Sequence, residues 1–303
     1  MIKIRTLLIL CGIVFISASS GAQEVVNYLD YDTKVEYNAK VAASNTAEDG
    51  TVFEKMVIDG FDSRVPFYVV KPAVSKANKF VILLHGITGS KEGWVKPTSS
   101  LSRKYVRLKD SLVSIGYNVV IPDAKYHGER SYEADFASPV TFYATQDLQK
   151  IQNLWSTSVK DMRVIMDYIE SRANEEQVTF DVVGYSMGGL MAIYLNSVDD
   201  RLNRVVACVA PLGNIVKAGM SLGLSEENAR KFEGQFSSER FSPLQIAPIT
   251  LLMGAKDHWY TEKEVQAFYD NIEIEDKALK FYEVGHFLPD EFVSDVISSL
   301  NSK

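Results

Sequence analysis

Short, uninterrupted apolar runs alternate with amphipathic segments from residue 80 to the end of the chain. The runs predict strands buried on both faces, as in parallel sheets. The segments between them carry apolar residues at helical spacing and predict helices. This alternation predicts an α/β fold with a doubly wound, mostly parallel sheet. The strands are predicted at 80–84, 117–121, 178–183, 205–209, 249–253 and 279–284, and the helices at 101–115, 143–172, 188–197, 261–273 and 289–301.

Three further segments flank or interrupt this alternation. Residues 51–73 hold two β-rich runs around an Asp-Gly turn signal and predict an antiparallel pair at a sheet edge. Residues 23–50 are polar and are expected to form a partly helical lead-in that packs on the main domain or stays mobile. Residues 212–245 are too long for a plain connection between strands and have helical character of their own. We therefore expect one main domain over 51–303, with an insertion at 212–245.

The first 22 residues have the three parts of a secretory signal peptide. Lys3 and Arg5 supply the positive start, residues 7–16 the apolar stretch, and small residues end at Ala22, the expected cleavage site. A membrane anchor is an alternative, but the apolar stretch is short for a span of about 20 residues. A lipoprotein signal is another, although leucine stands before the cysteine where a small residue is needed. We expect export, to a bacterial periplasm or beyond.

Charge and cysteine content narrow the range of partners. The chain has a formal net charge of −7, and removal of residues 1–22 takes away two basic and no acidic residues, which makes it −9. An acidic chain without a basic run is not expected to bind nucleic acid, or a membrane in its mature form. Cys208 is the one cysteine left after cleavage and lies in an apolar run, so it is interpreted as a buried small hydrophobe.

The sequence Gly184-Tyr185-Ser186-Met187-Gly188 lies where a strand is predicted to end and a helix to begin. This is the context of the G-x-S-x-G nucleophile elbow. So sharp a turn brings the backbones on either side of the serine together, where a Cβ would clash. The serine itself must take a strained conformation that exposes its hydroxyl at the carboxyl edge of the sheet. Ser186 is the candidate nucleophile.

A serine nucleophile needs a base, and the base needs an acid that orients it. His286 follows the last predicted strand, and Asp257 follows the strand before it. The order Ser186, Asp257, His286 is that of the α/β-hydrolase triad. His258 is a rival base, but it adjoins Asp257 in sequence and is expected to point elsewhere, into the pocket wall or to solvent. Ser186, Asp257 and His286 are therefore the predicted catalytic residues.

Acyl transfer also requires hydrogen-bond donors for the oxyanion. The backbone N–H of Met187 can supply one, because it follows the nucleophile. The second is assigned to the N–H of Ile87, in the small-residue loop "HGITGS" after the strand at 80–84. His85, which opens that loop, is interpreted as a bracing side chain rather than a catalytic one.

These motifs together resemble those of the α/β-hydrolase superfamily, over essentially all of residues 50–301. "HGITGS", "GYSMGG", "GAKDHW" and "VGHFLP" occur in the family order, and "IPDAKYHGER" resembles a stretch of bacterial carboxylesterases related to dienelactone hydrolases and to the catalytic domains of prolyl-oligopeptidase-type peptidases. The resemblance implies an eight-stranded-type sheet, a small helical cap, and hydrolysis through an acyl-enzyme without a metal or cofactor. Dienelactone hydrolases use a cysteine where this chain has Ser186, which argues against that lactone-opening reaction.

The segment 212–245 lies where this superfamily usually carries a cap. It is interpreted either as such a cap or as an ordinary pair of surface helices. Its candidate roof residues for an acyl pocket are Met220, Leu222, Leu224, Phe232 and Phe236. Trp94 and Trp259 are candidates for the pocket wall, and Tyr185 is a further candidate to bind substrate. His127 is a candidate at the pocket rim with Arg130, although bracing of their loop is favoured over contact with a substrate carboxylate.

The sequence therefore predicts an exported serine hydrolase, most simply a carboxylesterase acting on a small-molecule or carbohydrate ester. A peptidase, an aminoacyl hydrolase or an acyltransferase could use the same triad. A short lead-in of about 28 residues leaves no room for the propeller of the related peptidases, which weakens that alternative. A binding protein without turnover is the alternative of a different class, but it would be expected to lack a triad member.

Overall fold

The computed structural model of the protein describes residues 28–33, 36–74, 78–173 and 177–302. The predicted signal peptide, residues 1–22, lies outside the described residues. The strands are β1 Ala39–Thr46, β2 Val52–Asp59, β3 Arg64–Lys71, β4 Lys79–Leu84, β5 Asn118–Pro122, β6 Thr179–Tyr185, β7 Leu202–Cys208, β8 Ile249–Gly254 and β9 Lys277–Tyr282. The helices are α1 Ser100–Ser114, α2 Thr141–Ala144, α3 Leu148–Ser171, α4 Met187–Asn196, α5 Ile215–Ser221, α6 Glu226–Phe236, α7 Ser238–Phe241, α8 Glu262–Asp270 and α9 Phe292–Asn301.

All nine strands form one sheet in the order β1-β2-β3-β5-β4-β6-β7-β8-β9. Strands β4 to β9 pair in parallel, whereas β1, β2 and β3 form an antiparallel edge that joins the parallel part through β3 and β5. The predicted α/β fold and the antiparallel pair within 51–73 are confirmed. The six apolar runs predicted as parallel strands all form strands of this sheet, because strands covered on both faces need continuous apolar sequence.

The helix expected within the lead-in is wrong for residues 39–46, which form β1. This strand pairs with β2 and makes the sheet nine-stranded rather than eight-stranded. Seven of its eight residues are exposed. An edge strand with both faces in water has no apolar alternation, so the pattern of hydrophobic residues carries no signal for it.

The helix predicted at 143–172 is divided into α2 and α3. Gln146 has a positive φ of 61°, which breaks the helical path. Asp147 then starts α3, since its side chain accepts a hydrogen bond from the Lys150 amide. Capping chemistry, rather than the apolar period, sets this boundary.

Helices cover both faces of the sheet. Helices α3, α4, α6 and α8 contribute to the apolar cluster on one face, and α1 and α9 to the cluster on the other. Cys208 is fully buried in the second cluster, as predicted. Within the described ranges, no helix is both long and apolar enough to span a bilayer.

Candidate active site

Ser186 sits between β6 and α4 with φ 56° and ψ −117°, a conformation that costs an L-residue about 1–3 kcal/mol. The turn is as tight as the glycines suggested. A Cβ on Gly184 would lie 2.0 Å from the carbonyl oxygen of Gly188, and one on Gly188 would lie 2.4 Å from the carbonyl oxygen of Leu84. The strained turn therefore depends on both glycines, and it carries the serine hydroxyl out of the sheet edge.

The structure brings Ser186, His286 and Asp257 together in one hydrogen-bonded chain. His286 Nε2 lies 2.8 Å from Ser186 Oγ, and His286 Nδ1 lies 2.6 Å from Asp257 Oδ2. A carboxylate can only accept, so Nδ1 carries the proton and Nε2 is left to accept from the serine hydroxyl. This tautomer is the one that a general base acting on the serine requires.

Asp257 is held ready to accept from His286. Burial alone would raise its pKa, but hydrogen bonds from His286 and from the Trp259 amide outweigh that effect and hold the pKa of Asp257 below its usual value. The carboxyl group is therefore ionised at neutral pH. The rival histidine, His258, has a side chain that is 71% exposed, and its Nδ1 is 3.7 Å from Asp257, beyond hydrogen-bonding distance.

Ile87 and Met187, the predicted oxyanion donors, both lie next to the serine. Met187 is the first residue of α4, so its backbone N–H has no hydrogen-bond acceptor within the helix. Ile87 follows Gly86, and a Cβ on Gly86 would lie 3.5 Å from that of Ser186. Ile87 and Met187 both line the cavity above the serine.

Two buried histidines hold the loop that carries Ile87. His85 accepts from the Ala124 amide through Nε2 and donates to the Gly86 carbonyl through Nδ1. Burial, with a smaller effect of the neighbouring His127, lowers the pKa of His85 to about 3. His127 Nε2 lies 2.7 Å from the Ile87 carbonyl. These contacts tie the loop after β4 to the loop after β5.

His127 is therefore not at the pocket rim, where the sequence made it a candidate substrate-binding residue. It is 4% exposed, and its other ring nitrogen lies 2.8 Å from the Lys125 carbonyl. Arg130 is fully buried and pairs with Asp161 at 2.7 Å and with Glu133 at 3.1 Å. The bracing interpretation of both residues agrees with this geometry.

A cavity of about 350 Å³ opens above Ser186. Tyr185 and Trp259 line it, as expected of a substrate-binding residue and a wall residue. Trp94 does not, because it is fully buried and stacks behind Tyr105 with ring centroids 4.2 Å apart. Tyr105 is the residue of that pair that faces the cavity.

Residues 212–245 cover part of this cavity with helices α5 and α6. Leu222 and Phe232 line it, in agreement with their expected place in a roof. Leu224 and Phe236 are instead buried in the apolar cluster, and Met220 is 47% exposed. The prediction of these five residues rests on hydrophobicity alone, which does not tell which face of a short helix turns toward the cavity.

Several residues of the site were not found from the sequence. Tyr143 and Trp155, on α2 and α3, line the cavity although neither belongs to any of the motifs. The Tyr260 hydroxyl accepts from the Gly254 amide beside the Asp257 loop. No local pattern marks these aromatic residues, since long-range packing brings them to the site. In the part of the chain that the structure describes, no group of three or more His, Cys, Asp or Glu side chains is placed to hold a metal ion.

Comparison with known proteins finds two relatives in sequence and a solved structure of the same fold. YtaP of Bacillus subtilis (strain 168), named "Putative hydrolase YtaP", is 25% identical over 155 residues, which is 50% of this chain and only half of that relative's length. "Putative esterase YitV" of the same organism is 23% identical over 229 residues, 69% of this chain and 81% of the relative. Acetyl xylan esterase 1 from Thermoanaerobacterium sp. JW/SL YS485 shares the fold, with a TM-score of 0.68 and 16% identity over 93% of each chain.

The family comparison covers the elements that build the site. Residues 74–294, more than half of the chain, match the family model described as "Serine hydrolase (FSH1)". That range begins before β4 and includes Ser186, Asp257 and His286. The chain belongs to the serine hydrolase (FSH1) family and has the α/β-hydrolase fold.

Proposed function

We propose that this protein is an exported esterase that cleaves carboxylic esters through an acyl-enzyme intermediate. The observation that carries the proposal is the hydrogen-bonded chain of Ser186, His286 and Asp257, which starts from a strained serine at the floor of an apolar cavity. A neutral serine without a base would be a poor nucleophile. Here the base is within 2.8 Å and its tautomer is fixed by a buried carboxylate.

Each group has a defined role in the proposed reaction. His286 takes the proton of Ser186 as Oγ attacks the ester carbonyl, and the amides of Ile87 and Met187 donate to the resulting oxyanion. His286 then gives the proton to the leaving alcohol as the ester C–O bond breaks and the acyl-enzyme forms. Water, deprotonated by His286, attacks the acyl group, and Ser186 regains its proton as the acid leaves. Asp257 keeps the imidazole oriented throughout.

The cavity lining favours an ester over a charged peptide. Among the described residues that line it, none is acidic or basic apart from the histidines His258 and His286. A free amine or a carboxylate would enter this cavity without a counter-charge, which is costly in an apolar site. The name "Putative esterase YitV" and that of the acetyl xylan esterase with the same fold agree with ester chemistry.

Export is proposed on the sequence of residues 1–22. Their basic start, apolar stretch and small residues before position 23 are those of a cleaved signal peptide. N-terminal sequencing of the protein recovered from a bacterial host's periplasm tests this, with a start at Gln23 as the expected result. A chain that keeps its first 22 residues would contradict it.

Labelling with a fluorophosphonate tests the catalytic proposal. Such a probe reacts with a serine only when a neighbouring base activates it. Intact-mass and peptide analysis should find one adduct, on Ser186, and none in Ser186→Ala. Absence of an adduct in the wild-type protein would favour the alternative of a hydrolase-fold binding protein without turnover.

A further inference from the structure

The cavity is lined by residues from helices on both faces of the sheet. On one side it is lined by Leu101 and Tyr105 of α1, which packs on one face. On the other side it is lined by residues from α2, α3, α5, α6 and the turn after α5, next to the opposite face. We call this second part the cap-side arm. Its lining residues are Tyr143, Trp155, Ile215, Leu222 and Phe232.

The size and lining of the cavity suit a bulky apolar group. A volume of about 350 Å³ is roughly ten times the 30 Å³ that one water molecule occupies in the liquid. An acetyl group would fill only a small part of it. Trp155, Phe232 and Tyr143 are at most 5% exposed, whereas Phe287 at the mouth is 66% exposed. The cap-side arm is therefore lined by buried aromatic side chains.

One polar atom in this arm lacks a partner for its proton. The Tyr143 hydroxyl accepts a hydrogen bond of 3.3 Å from Trp155 Nε1, and the tyrosine is 3% exposed. Within the described ranges, no protein acceptor lies within hydrogen-bonding distance for the hydroxyl's own proton. Burial raises the pKa of Tyr143 to about 12, so the hydroxyl keeps that proton at any physiological pH. The hydroxyl therefore has a proton available for an acceptor that enters the cavity.

We propose that the cap-side arm binds a bulky, largely apolar substrate group with a hydrogen-bond acceptor near its far end, and that Tyr143 donates its proton to this acceptor. The inference rests on the proposed esterase function and specifies its substrate class. Trp155 Nε1 donates to the Tyr143 oxygen and cannot accept the hydroxyl proton, so that proton is available to an acceptor in the cavity. A site that holds a fixed buried donor discriminates against analogues without the matching acceptor, because the donor then stays unpaired.

The experiment compares matched ester pairs in wild type, Tyr143→Phe and Tyr194→Phe. One series varies the acyl group: p-nitrophenyl alkanoates of six to eight carbons against the same esters with a keto oxygen near the chain end. The other varies the alcohol: alkyl acetates against the corresponding oxoalkyl acetates, followed by pH-stat titration. The two series show which half of the ester enters the arm. The readout is the ratio of kcat/KM for the oxo ester to that for its alkyl partner.

Tyr194→Phe is the matched control. Tyr194 is fully buried beside Trp155, and its hydroxyl donates to the Phe236 carbonyl, behind the cavity wall rather than in its lining. Both variants lose a buried hydroxyl and should lose stability. If the Tyr143 hydroxyl serves only to accept the hydrogen bond from Trp155 Nε1, both variants should leave the ratio of kcat/KM values unchanged.

We expect wild type to prefer the oxo ester about tenfold in one series, the preference to be lost in Tyr143→Phe, and Tyr194→Phe to keep it. No preference in either series, or a preference that survives Tyr143→Phe, would overturn the inference while ester hydrolysis itself stood. If wild type hydrolyses no ester of either series, the proposed function fails and the inference falls with it.

Discussion

The hydroxyl of Tyr185 donates a hydrogen bond of 2.9 Å to the backbone carbonyl of His286. The same oxygen accepts from the amide of Leu288, also at 2.9 Å. The residue just before the nucleophile thus clamps the loop that carries the proposed base. The distance between Ser186 and His286 therefore depends on a side chain that belongs to the nucleophile's own strand.

Removal of this clamp should impair the reaction without removing any reacting group. In Tyr185→Phe the ring still fills its place, but the buried Leu288 amide loses its acceptor, which costs about 1–3 kcal/mol of unfolding free energy. We expect kcat for a p-nitrophenyl ester to fall about tenfold with KM little changed, because the loop loses its fixed position. Steady-state kinetics and urea unfolding measure the two effects.

The control is Tyr132→Phe, which removes a hydroxyl from a tyrosine that is 52% exposed. It should match wild type in both measurements. A Tyr185→Phe protein with wild-type kcat would show that the loop needs no such clamp.

The glycines of the elbow give a second prediction. Alanine at 184 would place its Cβ 2.0 Å from the Gly188 carbonyl oxygen, so the turn must open and Ser186 must move. We expect Gly184→Ala to lose at least about 100-fold in kcat/KM, since small misplacements of reacting groups are costly. Gly234→Ala is the contrasting variant. Nothing lies within 4 Å of its added Cβ in α6, so it should be stabilised by up to about 1 kcal/mol.

Thermal unfolding monitored by circular dichroism, with ester kinetics at 25 °C, compares the two alanine variants. Near-wild-type activity in folded Gly184→Ala would contradict the geometry assigned to the elbow.

Buried His85 makes stability depend on pH. Its pKa is about 3 in the folded protein, whereas an unfolded histidine titrates near 6.5, because burial disfavours the charged ring. Between these values the unfolded chain binds a proton that the folded chain does not, so acidification favours unfolding. His85 should therefore cost up to about 1.4 kcal/mol of stability per pH unit as pH falls below 6.5.

His85→Gln should reduce this slope, because glutamine can accept from the Ala124 amide without titrating. Urea unfolding of wild type and variant at pH 7, 6 and 5 measures it. The variant is expected to be less stable at pH 7 and to close the gap as the pH falls. Parallel pH profiles would show that His85 titrates normally in the folded protein.

The features that the sequence predicts best are those that depend on a short-range pattern of residues. Buried parallel strands show as apolar runs, and the ends of β6, β8 and β9 carry Ser186, Asp257 and His286, so the sheet's topology brings them to one edge. The fold was predictable for this reason, and so was the meeting of the three side chains. Their chemical roles await the experiments above.

The pocket could not be predicted in the same way. Trp94 lies close in sequence to a motif loop but is packed behind Tyr105, whereas Tyr143 lies outside every motif and lines the cavity. Which aromatic residue faces the cavity depends on helix packing over long sequence separations. The strand β1 was missed for another reason, since an exposed edge shows no apolar alternation.

The most direct test of the proposed mechanism is kcat/KM for a p-nitrophenyl ester in wild type and Ser186→Ala, with Ser294→Ala, an exposed serine on α9, as the matched control. We expect Ser186→Ala to fold with wild-type stability or better, because the substitution removes no packing contact in the core. Its kcat/KM should fall by about 10⁴-fold or more. Ser294→Ala should be fully active. Hydrolysis by Ser186→Ala at the wild-type rate would contradict the assignment of Ser186 as the nucleophile.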